Sequence, residues 1–285
     1  MYTWQDYWAS RSFMLDRSSV TRLIVSGRYM HNNVFRRPDI DDFSYYRFQN
    51  YQSLTGSLTV TSQRFINTSL IYSYGRTEDI PYGYMAELLW GREKNEFKLR
   101  NYAGSNLAYG NFFTGVGYLY AGLGVSAFYN DGHTEQGLFQ GSIRYFTPLV
   151  RLGRSRVRTF LNVKYSRGFN RYSDECLYFR DDGLIRGFRN DSLSGNTRIA
   201  LSLEPVLFIN KPVIGFRFAV FAFADAGLLS RGQPMGEDYY TVLSLGAGVR
   251  IRNDQLVLNT LQLRIAWYPH SPPWSESQMM TVNSL

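Results

Sequence analysis

The residues able to do chemistry are scattered along this chain rather than gathered. His31, His133 and His270 stand far apart in expected turns, and no HExxH or other short ligand spacing joins them, so no metal site is expected. No GxSxG or comparable nucleophile motif occurs, and a triad assembled in space from distant Ser, His and Asp residues is the enzymatic alternative. Cys176 is the single cysteine and can form neither an internal disulfide nor a cysteine-based metal site. Asp181-Asp182 before Gly183 read as a solvated turn in preference to a cation-binding or acid/base pair. The glycine-rich stretches 115–124 and 246–248 lack the Lys-Ser/Thr and the helix of a phosphate loop, and suit bends in a curved sheet. The residues therefore predict neither an enzyme nor a cofactor. One charge stands out: Asp225 interrupts the longest apolar stretch, Phe218 to Leu229.

The elements that must position such a charge are strands. Aromatic residues make up 16% of the 285, with 22 Tyr, 20 Phe and 25 Gly, and blocks of helix-forming residues are missing. Apolar and polar side chains alternate with period two. Leu243, Leu245, Ala247, Val249 and Ile251 oppose Ser244, Gly246, Gly248, Arg250 and Arg252. Leu261, Leu263, Ile265 and Trp267 oppose Thr260, Gln262, Arg264 and Ala266. Ile199, Leu201 and Leu203 oppose Arg198, Ala200, Ser202 and Glu204. Similar phases run through 57–61, 70–74, 139–145, 157–165 and 216–228, and weaker ones through 21–30, 83–91, 98–109 and 114–129. The total is about twelve strands, with a doubtful thirteenth over 277–285, and residues 1–17 show no clear period.

Alternation also describes soluble sheets, but three features favour a membrane barrel. The polar phase carries many charges and small residues, as a wet lumen would. Aromatics gather near strand ends (Tyr72, Tyr74, Trp90, Trp267, Tyr268), as in an interfacial girdle. Long connections near 30–48, 166–196 and 229–239 alternate with short turns. A mean hydropathy of −0.28 agrees with strands that show only one face to lipid. The net charge of +8 is spread singly along the strands, which fits anionic lipid headgroups better than nucleic acid. No export signal is visible at Met1 to Asp6, so a natural N-terminus is expected to lie upstream.

Asp181-Asp182-Gly183-Leu184-Ile185-Arg186-Gly187-Phe188 ends in a tetrad that resembles the [Val/Ile]-Arg-Gly-[Phe/Tyr] signature of the BamA/TamA and two-partner-secretion transporter superfamily, the bacterial surface antigen barrels. Ser202-Leu203-Glu204 follows, then Phe223-Ala224-Asp225-Ala226-Gly227, which resembles that superfamily's Phe-x-Asp-x-Gly strand. The resemblance covers residues 150–270 and is generic before them; Tyr74 to Pro81 read as a barrel turn. It implies an all-β, antiparallel transmembrane β-barrel of about sixteen strands in the bacterial outer membrane, spanning residues 1–285 and lacking its first strands, with no POTRA repeats in the chain. It also implies a loop folded into the lumen. Arg186 would bind Asp225, with Glu204 within reach of the same guanidinium, Gly187 would let the backbone approach the wall, and Phe188 would rest on lumen residues. Phase agrees for Asp225, which falls opposite Phe216, Phe218, Val220, Ala222 and Ala224; a lipid-facing carboxylate would be costly. An ordinary solvated surface loop is the plain alternative for 181–188. The implied function is insertion of barrel proteins or passage of a substrate across the membrane, without a cofactor. The partners would be outer-membrane lipid, an unfolded or secreted client, and a POTRA region or accessory subunits. A passive pore or structural outer-membrane protein is the alternative.

Overall fold

Apolar–polar alternation over a dozen residues dictates long strands, and tight polar turns between them dictate antiparallel neighbours. The computed structural model of the chain describes residues 1–71, 77–172, 174–179, 185–190, 193–230, 238–253, 260–272, 276–277 and 279–284. Its strands are β1 (Tyr2–Asp16), β2 (Thr21–Val34), β3 (Tyr51–Ser69), β4 (Thr77–Asn95), β5 (Leu99–Phe113), β6 (Gly117–Asn130), β7 (His133–Phe146), β8 (Val150–Leu152), β9 (Ser155–Phe169), β10 (Phe188–Arg189), β11 (Thr197–Phe208), β12 (Phe216–Ser230), β13 (Tyr239–Asn253), β14 (Leu261–His270), β15 (Glu276–Ser277) and β16 (Met280–Ser284). They form one antiparallel 14-stranded sheet in the order β1-β2-β3-β4-β5-β6-β7-β9-β11-β12-β13-β14-β16, with β8 added to β9, while β10 and β15 pair separately. β1 and β16 are the two ends of the sheet, and among the described residues no ladder joins them.

Exposure is inverted relative to a water-soluble protein. Leu58, Leu88, Trp90, Leu107, Leu123, Val220, Ile265 and Trp267 are exposed, whereas Arg100, Arg158, Asp225, Gln262 and Arg264 are buried. The sheet thus has an apolar outer face and an inner face that shelters charge, as strands with one face in lipid require. The inner face is concave. Leu70, from the β3–β4 connection, packs with Val206, Phe208, Phe221 and Phe223 of β11 and β12, and Arg158 of β9 donates to the Ser69 and Leu70 carbonyls at 3.0 and 3.2 Å. The connections after β2, β9 and β12, which are the second, eighth and tenth strands of the meander, all lie at one end of it.

Three expectations are corrected here. Residues 2–16 form a full strand, β1, although both of its faces mix aromatic and polar residues. Residues 57–61 and Ser69 belong to a single long strand, β3, and no separate strand begins at Leu70. Leu70 turns out of the ladder at φ 61° and buries its side chain on the inner face; Tyr72 and Tyr74 lie outside the described residues. The expected turn is shorter than 74–81, because Thr77–Pro81 already pair with Phe65–Ser69.

Candidate functional site: a loop arginine on two inner-face carboxylates

Strand register assembles the site. Ser202 of β11 pairs with Asp225 of β12, which pairs with Ser244 of β13, so these three side chains form one row across the inner face. Pro205 lacks a backbone N–H, and the β11–β12 ladder skips Glu204 and Pro205 between the Leu203–Ala224 and Val206–Phe221 pairs. Asp225 is fully buried, and an unpaired carboxylate there would cost several kcal/mol.

Arg186 removes that penalty. Its Nε and Nη2 donate to Asp225 Oδ2 and Oδ1 at 2.9 and 2.7 Å, a bidentate fork, and its backbone N–H donates to Oδ2 at 3.0 Å. Nη2 also donates to Ser202 Oγ at 2.7 Å, and Nη1 donates to Glu204. The guanidinium lies 4.2 Å from the centre of the Phe223 ring, within cation–π range. The Arg186 carbonyl accepts from Tyr268 Oη at 2.8 Å and from Ser244 Oγ at 3.5 Å. One loop residue therefore touches β11, β12, β13 and β14. Glu204 has a second cation, since Arg250 Nη2 donates to its other oxygen at 2.6 Å while Arg250 Nε donates to Gln262 at 2.8 Å. Two carboxylates are thus held between two guanidiniums, and a third, Arg264, stands 5.9 Å from the same Phe223 ring.

The flanking motif residues seat the loop. Gly187 has φ 75°, a backbone region that favours glycine. Ile185 and Phe188 are buried with Phe179, Leu193, Leu229 and Val242, and Phe188 meets Phe179 edge-on at 5.8 Å. Gly227 lies directly beneath Ile185 and Phe179. Phe223 is accommodated by Gly246, its cross-strand partner, where a Cβ would stand 2.4 Å from the ring. Ile185, Arg186, Gly187, Phe188, Glu204, Phe223, Asp225 and Gly227 are thereby brought together at one place. Asp181, Asp182 and Gly183 lie outside the described residues.

Sequence reasoning misplaced one residue of this site and missed a second site. Tyr268, read as part of the girdle, is on the inner face and binds the Arg186 carbonyl; the even phase it shares with Gln262, Arg264 and Ala266 was the available signal. The second site lies beneath the 35–50 connection. Fully buried Arg100 donates from Nη2 and Nε to Glu93 Oε1 at 2.7 and 3.0 Å, and from Nη1 to Glu135 at 3.0 Å and Tyr172 Oη at 3.2 Å, and it stacks 3.9 Å from the centre of the Phe128 ring. Tyr46 Oη donates to Glu93 at 2.8 Å, and Lys98 joins Glu135 to Asp42 at 2.7 and 2.9 Å. Burial, reinforced by the Glu93 carboxylate, pushes the Tyr46 phenol far up. These bonds tie the 35–50 and 170–196 connections to β4, β5 and β7.

Both sites hold loops to strands by charge. Among the described residues no three His, Cys, Asp or Glu side chains converge as metal ligands.

No protein-family profile and no curated protein matches the chain. Solved structures do resemble it. CdiB from Acinetobacter baumannii aligns with 99% of this chain at TM-score 0.53 and 16% identity, and the chain spans 49% of the length of that protein. At that identity the likeness concerns the fold: the curved antiparallel sheet described above is similar to that of CdiB.

Proposed function

We propose that the chain is the barrel of a bacterial outer-membrane factor that inserts barrel proteins into the membrane or moves a polypeptide across it, with the 170–196 loop folded back into the barrel as its regulating element. The position of Arg186 carries this reading. Asp225 lies five residues inside the loop end of β12, about 17 Å at ~3.3 Å per residue, and Glu204 lies seven residues inside β11, about 23 Å. A loop that only decorated the surface would have no reason to spend its arginine there. The inverted exposure supports placement in lipid, and the likeness to CdiB supports the fold. The work would be done by shape and charge, without a catalytic residue or cofactor. The client would be an unfolded or secreted polypeptide, gathered by POTRA modules or accessory subunits.

The test is client export or assembly in cells carrying Arg186→Ala or Asp225→Asn at unchanged barrel abundance. A loss of tenfold or more is expected. Unchanged client handling together with steady single-channel conductance would establish a passive pore instead.

A further inference from the structure

We infer that the outer face carries a binding site for the phosphate groups of an outer-leaflet glycolipid, centred on Arg92 and Lys94. The inference rests on the membrane-spanning reading above and adds a ligand to it.

Most described strand charges near the long-loop end point inward and are paired, as Glu93, Arg100 and Glu135 show. Arg92 and Lys94 do the opposite. They occupy the even phase of β4 with Leu88 and Trp90, all four exposed, and neither cation has an ion-pair or hydrogen-bond partner among the described residues. The carboxylate closest to them in sequence on the turn side, Glu96, is occupied by Arg37. The cations lie at the end of β4 that bears the long connections, the outward end of such barrels.

Register supplies the surroundings. One cross-strand row runs Tyr7, Tyr29, Leu54, Arg92, Asn101 and Tyr129. The next row toward the loops runs Gln5, His31, Gln52, Lys94 and Leu99. A row bearing three tyrosines is therefore topped by a row bearing the exposed amides Gln5 and Gln52, with two cations about 6.6 Å apart along the strand. An arginine fork and a lysine point charge at that spacing can share one phosphate, while Leu54 beside Arg92, and Leu58 and Leu88 below it, offer acyl chains an apolar wall.

The full chain, inserted in phosphatidylcholine vesicles, would be titrated with diphosphoryl lipid A and with its dephosphorylated form. Each cation contributes about fivefold, so Arg92→Gln with Lys94→Gln should weaken diphosphoryl lipid A binding about twenty-five-fold. The same charge loss at the opposite end, Arg151→Gln with Arg154→Gln, should leave it unchanged. Inorganic phosphate alone should fail to displace the lipid. Equal binding of both lipid forms, equal loss in both double variants, or displacement by inorganic phosphate as strong as that by lipid A would overturn the site. Failure to insert into vesicles, read by protease resistance, would undo the membrane reading as well. An inserted barrel that ignores Arg92→Gln and Lys94→Gln overturns this inference alone.

Discussion

Ile185 fills the space above Gly227 so closely that a Cβ on residue 227 would stand 2.2 Å from Ile185 Cδ1, and only 2.8 and 2.9 Å from Phe179 and Val242. Gly227→Ala should therefore lift the loop without altering the sheet ladder. The expected cost is about 1–3 kcal/mol, typical of overpacking, seen as faster protease cleavage between residues 177 and 195. Cleavage at the wild-type rate would mean that the loop does not rest on this residue.

Asp225→Asn should loosen the same loop by about 3–5 kcal/mol, because it leaves a guanidinium largely buried opposite a neutral amide. Glu204→Gln should cost the loop less, since Asp225 would still hold Nε, Nη2 and the backbone N–H of Arg186. Arg186→Met combined with Asp225→Leu should recover much of the loss, as replacing a whole buried pair by apolar groups does. Hydrogen exchange of residues 185–190 would rank the variants, and no recovery in the double variant would refute a charge-based anchor.

Arg100→Met should be at least as damaging at the other site, about 3–5 kcal/mol, because it leaves buried Glu93 without a cation under the 35–50 connection, while Glu135 keeps Lys98. Exchange of residues 41–49 should rise with it. Glu93→Gln should do so more weakly, since Arg100 retains Glu135.

Glu175, in the connection after β9, predicts a pH dependence. Burial raises its pKa above the usual 4.5, partly offset by the hydrogen bond from the Gln136 amide, and its other oxygen has no partner. A folded value above the unfolded one contributes stability that is complete below 4.5 and is lost as pH rises through the raised value. Exchange protection of residues 174–179 should therefore fall between acidic and neutral pH, and Glu175→Gln should flatten that profile.

The inner and outer phases of β11, β13 and β14 were legible because each separates apolar from polar residues, whereas in apolar β12 the charge of Asp225 chose the face; together these sufficed to turn Asp225 and Glu204 the same way. β4 and β5 were harder to read. Glu93 and Arg92 are neighbours with charges on opposite faces, and such a pair erases the period-two signal that reveals a strand. β1 was invisible for a related reason: at the edge of the sheet nearly all of it is exposed, so neither face had to be uniform. The partnership of Tyr268 with the Arg186 carbonyl could not be read at all, since a backbone acceptor leaves no trace in residue type. The Arg100 network lies equally beyond sequence, because it joins three strands and two connections that only tertiary folding brings together.

The meander also constrains the order of folding. Each long strand pairs with its neighbour in the chain, so the ladders can grow hairpin by hairpin at low loop-closure cost. Arg186 departs from this order, reaching Asp225 39 residues later and Tyr268 82 residues later. Its full set of bonds cannot exist until β12, β13 and β14 stand side by side. The anchor is therefore a late event in maturation, and its formation marks a barrel whose C-terminal strands are already in register.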